Sequence, residues 1–267
     1  MGNPTTPCTS ARPVVLSIAG FDPTGGAGLT ADLAVMHHMG VRGMAVATLI
    51  TEQNSCGVRA CHPLDAHVVA GQLKLLLDDV DIAAVKIGAL GDADIVREVT
   101  AVLRERFRGP MVLDPVWHAS SGTRLLSEPG VDCLASHLLS LATVVTANRM
   151  ELETLTGMPV ATAEQMEQAA RWLARRETGW ILAKGGHLDS GDTCTDLLCL
   201  GDRCFPLSHP RIPGDAPHGT GCALSSAIAS GIALGMDVPA ACLLAKETVF
   251  RWIQDAFPLG KGARFLL

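Results

Sequence analysis

Residues 218–222 read HGTGC and run on into ALSSAIASGIALG, a stretch of small residues with helical character. Two glycines let backbone N–H groups come close to an anion. A helix start adds unpaired donors and the positive end of the helix dipole. A carbonyl or phosphoryl oxygen fits such a ring of donors. Cys222 is expected to have a lowered pKa, because a helix N-terminus favours the thiolate. Three readings of Cys222 stay open on these residues. It is a small residue for close helix packing, a covalent nucleophile, or a group that handles a proton beside a phosphate. A serine-hydrolase arrangement finds no G-x-S-x-G, and the preceding HPRIPGDAP has the composition of a loop rather than of the strand such a nucleophile needs. A second glycine cluster, FDPTGGAG at Phe21–Gly28, has neither the Lys-Ser/Thr of a P-loop nor the G-x-G-x-x-G spacing. A tight turn needing positive φ and a ligand-binding loop fit it equally.

These loops need elements to hold them. Short apolar runs of strand length alternate with helical patterns. The strands are Val14–Ala19, Met44–Ile50, Ala83–Gly88, Met111–Asp114, Ala142–Asn148 and Trp180–Lys184. Helical patterns follow the first glycine cluster (stopped by Gly40) and Pro63. They continue in DADIVREVTAVLRERF and AEQMEQAARWLARR. This alternation predicts an α/β fold of three layers, with a mostly parallel sheet covered by helices on both faces. In such sheets ligands bind beyond the carboxyl ends of the strands. Those ends carry Gly20 and Asp22, Gln53 and Asn54, Lys86 and Gly88, Asp114, Asn148, and Lys184 with Gly185 and Gly186. Six strands thus deliver polar groups and glycines to one edge. Neither a linker nor an internal repeat divides the chain, so a single domain over 1–267 is expected, with 1–12 as a flexible N-terminus.

Composition narrows the function classes. In 267 residues, 48% are hydrophobic and 18% charged, which supports a sizeable core. The net charge of −6, without a long basic run, argues against nucleic acid or an anionic membrane as partner. A phosphate-bearing ligand must therefore be held by local positive features. Nine cysteines occur without C-x-x-C, and the five-residue steps of Cys194, Cys199 and Cys204 match no common zinc spacing. They are expected to be reduced. The N-terminus has no apolar signal region, and Gly2 with Thr6 fits a myristoylation pattern only loosely, with no basic second anchor. Apolar stretches are too short to span a membrane. A cytoplasmic location is the expectation.

The runs SIAGFDPTGGAGLTADL, TEQNSCGV, VKIGAL, MVLDPVW, VVTANRMELETLTG, ILAKGGH and HGTGCALSSAIA occur in this order. Together they resemble the hydroxymethylpyrimidine/phosphomethylpyrimidine kinases of thiamine biosynthesis, over nearly the whole chain from about Val14 onward. The resemblance implies a ribokinase-like fold. It implies transfer of the ATP γ-phosphoryl to the hydroxymethyl group of 4-amino-5-hydroxymethyl-2-methylpyrimidine and then to its monophosphate, with Mg²⁺ as cofactor and a homodimer as the assembly. By resemblance, Cys222 stands where ribokinase relatives carry an aspartate base, and the backbone of Gly219, Thr220, Gly221 and Cys222 forms the anion hole. Gln53 matches the glutamine that recognises the aminopyrimidine, through one donor and one acceptor. Asp32 and Gly20 lie near that substrate. Asn148 and Glu151 match an N-x-x-E element that orders Mg²⁺ and phosphate oxygens, with Asp114 beside it. Lys184 and Gly186 lie along the nucleotide phosphates.

Several positions depart from the family pattern. Thr30 and Ala34 replace a glutamine and a lysine, Ser120 replaces a lysine, and Ala147 replaces a proline. The chain ends at GKGARFLL, short of the usual glycine/histidine tail. Ala89 and Trp117 each replace a methionine, a small residue at one place and a large one at the other. If both line the pyrimidine pocket, Trp117 can stack on the ring; otherwise it fills core space. Rival readings are a pyridoxal-type kinase of the same fold, a non-catalytic pyrimidine-binding paralogue, and a cysteine hydrolase.

Overall fold

In the computed structural model of the protein, residues 12–176, 179–186, 188 and 191–267 are described. Residues 1–11 of the expected flexible N-terminus and His187 of KGGH lie outside them. Strand β1 (Val14–Phe21) leads through the first glycine loop into α1 (Gly28–His38). Next come β2 (Arg42–Asn54), β3 (Gly57–Pro63), α2 (Ala66–Asp79), β4 (Ile82–Ile87), α3 (Ala93–Arg106) and β5 (Met111–Leu113). Helix α4 (Glu128–Cys133) runs on through a π-helical and a 3₁₀ turn over 134–141 to β6 (Val144–Ala147), α5 (Arg149–Thr156), α6 (Ala163–Arg176) and β7 (Trp180–Ala183). The chain finishes with β8 (Thr193–Leu200), β9 (Arg203–Pro210), α7 (Thr220–Ala233), α8 (Val238–Gln254) and the short pair β10 (Phe257–Pro258) and β11 (Arg264–Phe265).

Nine of these strands make one sheet in the order β3-β2-β1-β4-β5-β6-β7-β8-β9. The six from β2 to β7 in that order are mutually parallel. Residues Val15–Gly20 of β1 are all buried, as expected of a parallel strand covered on both faces. One apolar cluster packs α2, α3 and α6 on one face, around Leu73, Val99, Leu103 and Leu173. The other packs α1, α7 and α8, around Val35, Met36, Ile228 and Val249. These are the three layers expected.

Helix α7 explains its own composition. Its buried residues are Ala223, Leu224, Ser225, Ser226, Ala227, Ile228, Ala229, Ser230 and Gly231, nearly all small. A side chain on Gly231 would meet Ala241 Cβ of α8 at 3.0 Å. Small residues thus let α7 lie deep between α1, α8 and the sheet. There it contacts β1, β4 and β5. β1 and β4 flank the point where strand order reverses, the usual ligand position in open α/β sheets.

The antiparallel edges were not foreseen. β3 pairs with β2, and β8–β9 extend the far side. β9 holds Pro206 and Pro210, which an edge strand tolerates and a central strand would not. His209 and Pro210 therefore close a strand, and the loop proper begins at Arg211. The expectation of reduced cysteines fails at one place. Cys199 and Cys204 face each other in the β8–β9 register and form a disulfide. The tight Gly201–Asp202 connection sets two cysteines five residues apart directly opposite one another. The other described cysteines, Cys56, Cys61, Cys133, Cys194, Cys222 and Cys242, are free.

Candidate active site

Two glycine loops interlock at the carboxyl ends of the strands. Gly219 precedes α7 with φ +77°, and a Cβ there would lie 1.7 Å from the carbonyl oxygen of Gly26. Gly28 opens α1 with φ +59°, and a Cβ there would meet the Gly20 oxygen at 2.2 Å. The glycines therefore serve close backbone approach as well as turning. Buried Gly20 leaves room for Leu49 in the same way. No side chain caps α7. The N–H groups of its first turn, Thr220 to Cys222, are left facing out of the helix end, as an anion hole requires. The Thr220 hydroxyl donates instead to the Pro217 carbonyl at 2.8 Å.

Asp22 organises the first loop. Its carboxylate accepts from the backbone N–H and hydroxyl of Thr24, both at 2.8 Å, and from the Ala27 N–H at 3.0 Å. Its Oδ2 also lies 2.8 Å from His218 Nε2 and 3.2 Å from Gln53 Nε2. Burial opposes the Asp22 charge, but the hydrogen bonds from His218 and Thr24 outweigh it and hold the carboxyl below its ordinary range. Gln53 is thereby fixed at the end of β2. Its amide nitrogen meets Asp22 and His218, and its Oε1 accepts from the Thr51 hydroxyl at 3.1 Å. His218 and Thr51 are positioning residues that the sequence reading did not identify.

Cys222 lies half-buried in the first turn of α7. Its thiol is not lowered, as its position at a helix start suggested, but pushed up to about 11. Burial is the main cause, and the carboxylates of Asp32 and Asp114 add to it. Lys86 and the Gly28 N–H pull the other way without prevailing. A helix start favours a thiolate that stands in water, and this thiol is desolvated.

On one side of Cys222 is an acid–lysine cluster. Asp114 Oδ1 accepts from Lys184 Nζ and from the Thr146 hydroxyl, both at 2.9 Å. Lys184 Nζ also lies 3.7 Å from Glu151 Oε2. Burial opposes the Asp114 charge, but Lys184 and Lys86 outweigh it and hold the carboxyl low. Burial likewise opposes the Lys184 charge, and Asp114 and Glu151 overcome it to hold the ammonium above its ordinary value. Burial raises the Glu151 carboxyl to about 7, although Lys184 acts against it. N-x-x-E also has a local meaning. Asn148 caps α5 through Oδ1 to the Glu151 N–H at 3.0 Å, and Glu151 returns a bond to the Asn148 N–H at 2.7 Å. Lys184 Nζ would sit 3.4 Å from a Cβ on Gly221, so this cluster adjoins the uncapped start of α7. Buried Gly185 is pinned by its N–H to Asp196 at 2.8 Å, and exposed Gly186 follows it.

A model of the family described as phosphomethylpyrimidine kinase matches residues 22–266. The chain belongs to this family. Among its relatives, the hydroxymethylpyrimidine/phosphomethylpyrimidine kinase of Streptomyces coelicolor is 41% identical over 262 residues, covering 98% of this chain and 96% of that protein. The Mycobacterium tuberculosis kinase of the same name is 38% identical, covering 97% and 94%. Among solved structures, the phosphomethylpyrimidine kinase of Clostridium difficile superposes with a TM-score of 0.80 at 32% identity, covering 90% of this chain and 99% of that one. An ADP complex of Bacillus subtilis pyridoxal kinase superposes at 0.88 and 30% identity, covering 95% and 96%. The ribokinase-like fold expected from the sequence is thus the fold of this phosphomethylpyrimidine kinase family member. Backbone likeness alone does not separate the two vitamin-kinase activities.

Two residues expected to touch substrate have other surroundings in this family member. Asp32 is fully buried, and its oxygens accept from Lys86, Ser17 and Ser226. It braces α1, α7 and the sheet rather than presenting a carboxylate to a ligand, because three donors already occupy it. Trp117 is 4% exposed and joins the core with Leu90, Leu113 and Leu126. It fills core space, with its indole N–H unpartnered among the described residues. Ala89 is half-buried, and its carbonyl accepts from the Thr48 hydroxyl at 2.6 Å.

Proposed function

We propose that this chain transfers the γ-phosphoryl of ATP to the hydroxymethyl group of 4-amino-5-hydroxymethyl-2-methylpyrimidine, and then to the resulting monophosphate. The observation that carries this reading is the uncapped, glycine-opened start of α7, with Cys222 in its first turn and the Lys184–Asp114–Glu151 cluster beside it. Phosphoryl transfer asks a protein mainly for positioning and charge stabilisation. The first-turn N–H groups and Lys184 offer both on a chain whose net charge is −6. The substrate hydroxyl gives its proton to Cys222 in its thiolate form, which becomes the thiol, as the hydroxyl oxygen bonds the γ-phosphorus. The bond from that phosphorus to the bridging oxygen breaks, and ADP leaves. Gln53, held by Thr51, Asp22 and His218, lies where it reads the aminopyrimidine edge. Gly20 floors that side, Ala89 lines it, and Asn148 and Gly186 lie along the nucleotide.

Two carboxylates with phosphate oxygens and water suit Mg²⁺, and Asp114 and Glu151 offer such a pair beside Lys184. When bound, the ion neutralises charge on the nucleotide phosphates. We also propose a single domain over 1–267, on the lack of a linker or internal repeat, a cytoplasmic location, on the lack of an apolar signal region, and a homodimer, which the family resemblance implies; no described helix is long and apolar enough to cross a membrane.

Pyridoxal is the second substrate to consider, because a pyridoxal kinase superposes at 0.88. ADP release measured with the aminopyrimidine alcohol, its monophosphate and pyridoxal under identical ATP and Mg²⁺ decides between them. The alcohol is expected to give the highest kcat/KM. Preference for pyridoxal overturns the substrate, and binding without ADP release with any of the three overturns the reaction.

A further inference from the structure

A second lysine–carboxylate pair lies under the start of α7, and phosphoryl transfer as drawn above does not use it. Lys86 Nζ is 2.7 Å from Asp32 Oδ2, and both side chains are 0% exposed. Taking two charges out of water costs several kcal/mol per ion, so a buried pair is a weak source of stability. Its place in the fold points to another use. Lys86 stands on β4 in register with Ser17 of β1, whose hydroxyl donates to the same Asp32 oxygen at 2.6 Å. The other Asp32 oxygen accepts from Ser226 at 2.7 Å. Ser226 follows Cys222 by four residues, which puts the two on one face of α7, a single turn apart. The ammonium reaches past the strand end, where it would lie 2.9 Å from a Cβ on Gly88. Glycine leaves it that space.

We propose that Lys86, held by Asp32, sets the proton affinity of the Cys222 sulfur. The role depends on Cys222 being the group that takes the substrate's proton. Four charged side chains act on this thiol from different elements. Lys86 comes from β4, Asp32 from α1, Asp114 from the end of β5, and Lys184 from the end of β7. Burial disfavours the thiolate most, and Lys86 is the strongest influence in its favour. Burial also disfavours the Lys86 charge, but Asp32 keeps it an ammonium. Lys86 thus stabilises the thiolate, and Asp32 moderates that effect.

The two members of the pair must then move the thiol in opposite directions. The test is the pH dependence of iodoacetamide alkylation at Cys222 in the full chain, followed on the Cys222 peptide by mass spectrometry. Lys86→Met should raise the alkylation midpoint by about one pH unit or more, which is about tenfold slower alkylation at fixed pH below it. Asp32→Asn should lower the midpoint. Lys86→Met/Asp32→Asn leaves neither charge unpaired, so it folds if either single variant does not. Its midpoint should lie above that of the parent and below that of Lys86→Met. Midpoints that stay put, or that move the same way in both single variants, overturn the proposal, as does a double variant at or below the parent. The low-pH limb of kcat in the same variants tests the separate assignment of Cys222 as base. If the thiol moves as expected and that limb does not follow, the base assignment fails while the hold of Lys86 on the thiol stands.

Discussion

At Cys222, burial and charge act against each other. A thiol near 11 is a strong base once deprotonated, and little of it is deprotonated near neutral pH. Its role is tested by removal. Proton transfer by a positioned side chain contributes about 10²–10⁴-fold, so Cys222→Ala should lower kcat by that factor while the circular dichroism spectrum stays unchanged. Turnover near that of the parent protein would show that the hydroxyl loses its proton elsewhere. Several residues of the candidate site were legible from their position after a strand: Gln53, Asp114, Asn148 and Lys184 all lie at carboxyl ends. Asp32 and Trp117 were not, because their family pattern gives a place in the sequence and no measure of depth. Asp32 lies one turn into α1 on its buried side, and Trp117 turns into the core after Asp114.

Among the elements, α7 carries Thr220, Gly221 and Cys222 of the candidate site. Its uncapped start is an open set of donors, and its small-residue body lets that start approach Asp114, Lys184 and the first glycine loop. Gly219, at φ +77° and against the Gly26 carbonyl, lets the two glycine loops meet. Gly219→Ala adds strain of about 1–3 kcal/mol for its positive φ and a collision with the Gly26 carbonyl. It should lower Tm and remove phosphoryl transfer together. Gly235→Ala, just past the other end of α7 at φ +89° with open space around it, should cost about 1–2 kcal/mol of stability and leave kcat intact. Equal kcat in the two variants would mean that the close approach of the loops is dispensable. The edge strands β3 and β9 were the elements least visible beforehand. Half-exposed and partly proline-bearing, they lack the continuous apolar runs that mark β1 and β4.

In the whole molecule the candidate site lies at one end of the sheet, beyond the carboxyl ends of its parallel strands. A hollow of about 590 Å³ among Asp79, Ile82, Arg106 and Gly109 lies at the amino ends of β4 and β5, the opposite end. A ligand bound only to the folded chain stabilises it by mass action. A non-hydrolysable ATP analogue with Mg²⁺, at about one hundred times its Kd, should raise Tm by roughly 5–10 °C. The rise should shrink in Lys184→Met, which removes the cation beside the phosphates. An unchanged Tm in the parent protein would speak against nucleotide binding at this rim.

The amino-acid sequence determined the periodicities, and with them the layered α/β architecture and the set of strand ends. It also held the ordered motifs that mark the family, because apolar patterning and glycine placement are local properties of a chain. Only the tertiary structure decided how deep each group lies and which charge it meets. Lys86 and Asp32 are far apart in sequence and bond to each other only because α1 packs on β1, the strand beside β4. HGTGC signalled a helix start and an anion hole, and for Cys222 it signalled a lowered thiol. Burial between two lysine–carboxylate pairs reversed that last expectation. Desolvation depends on everything packed around a group, and that comes from the fold rather than from neighbours in the chain.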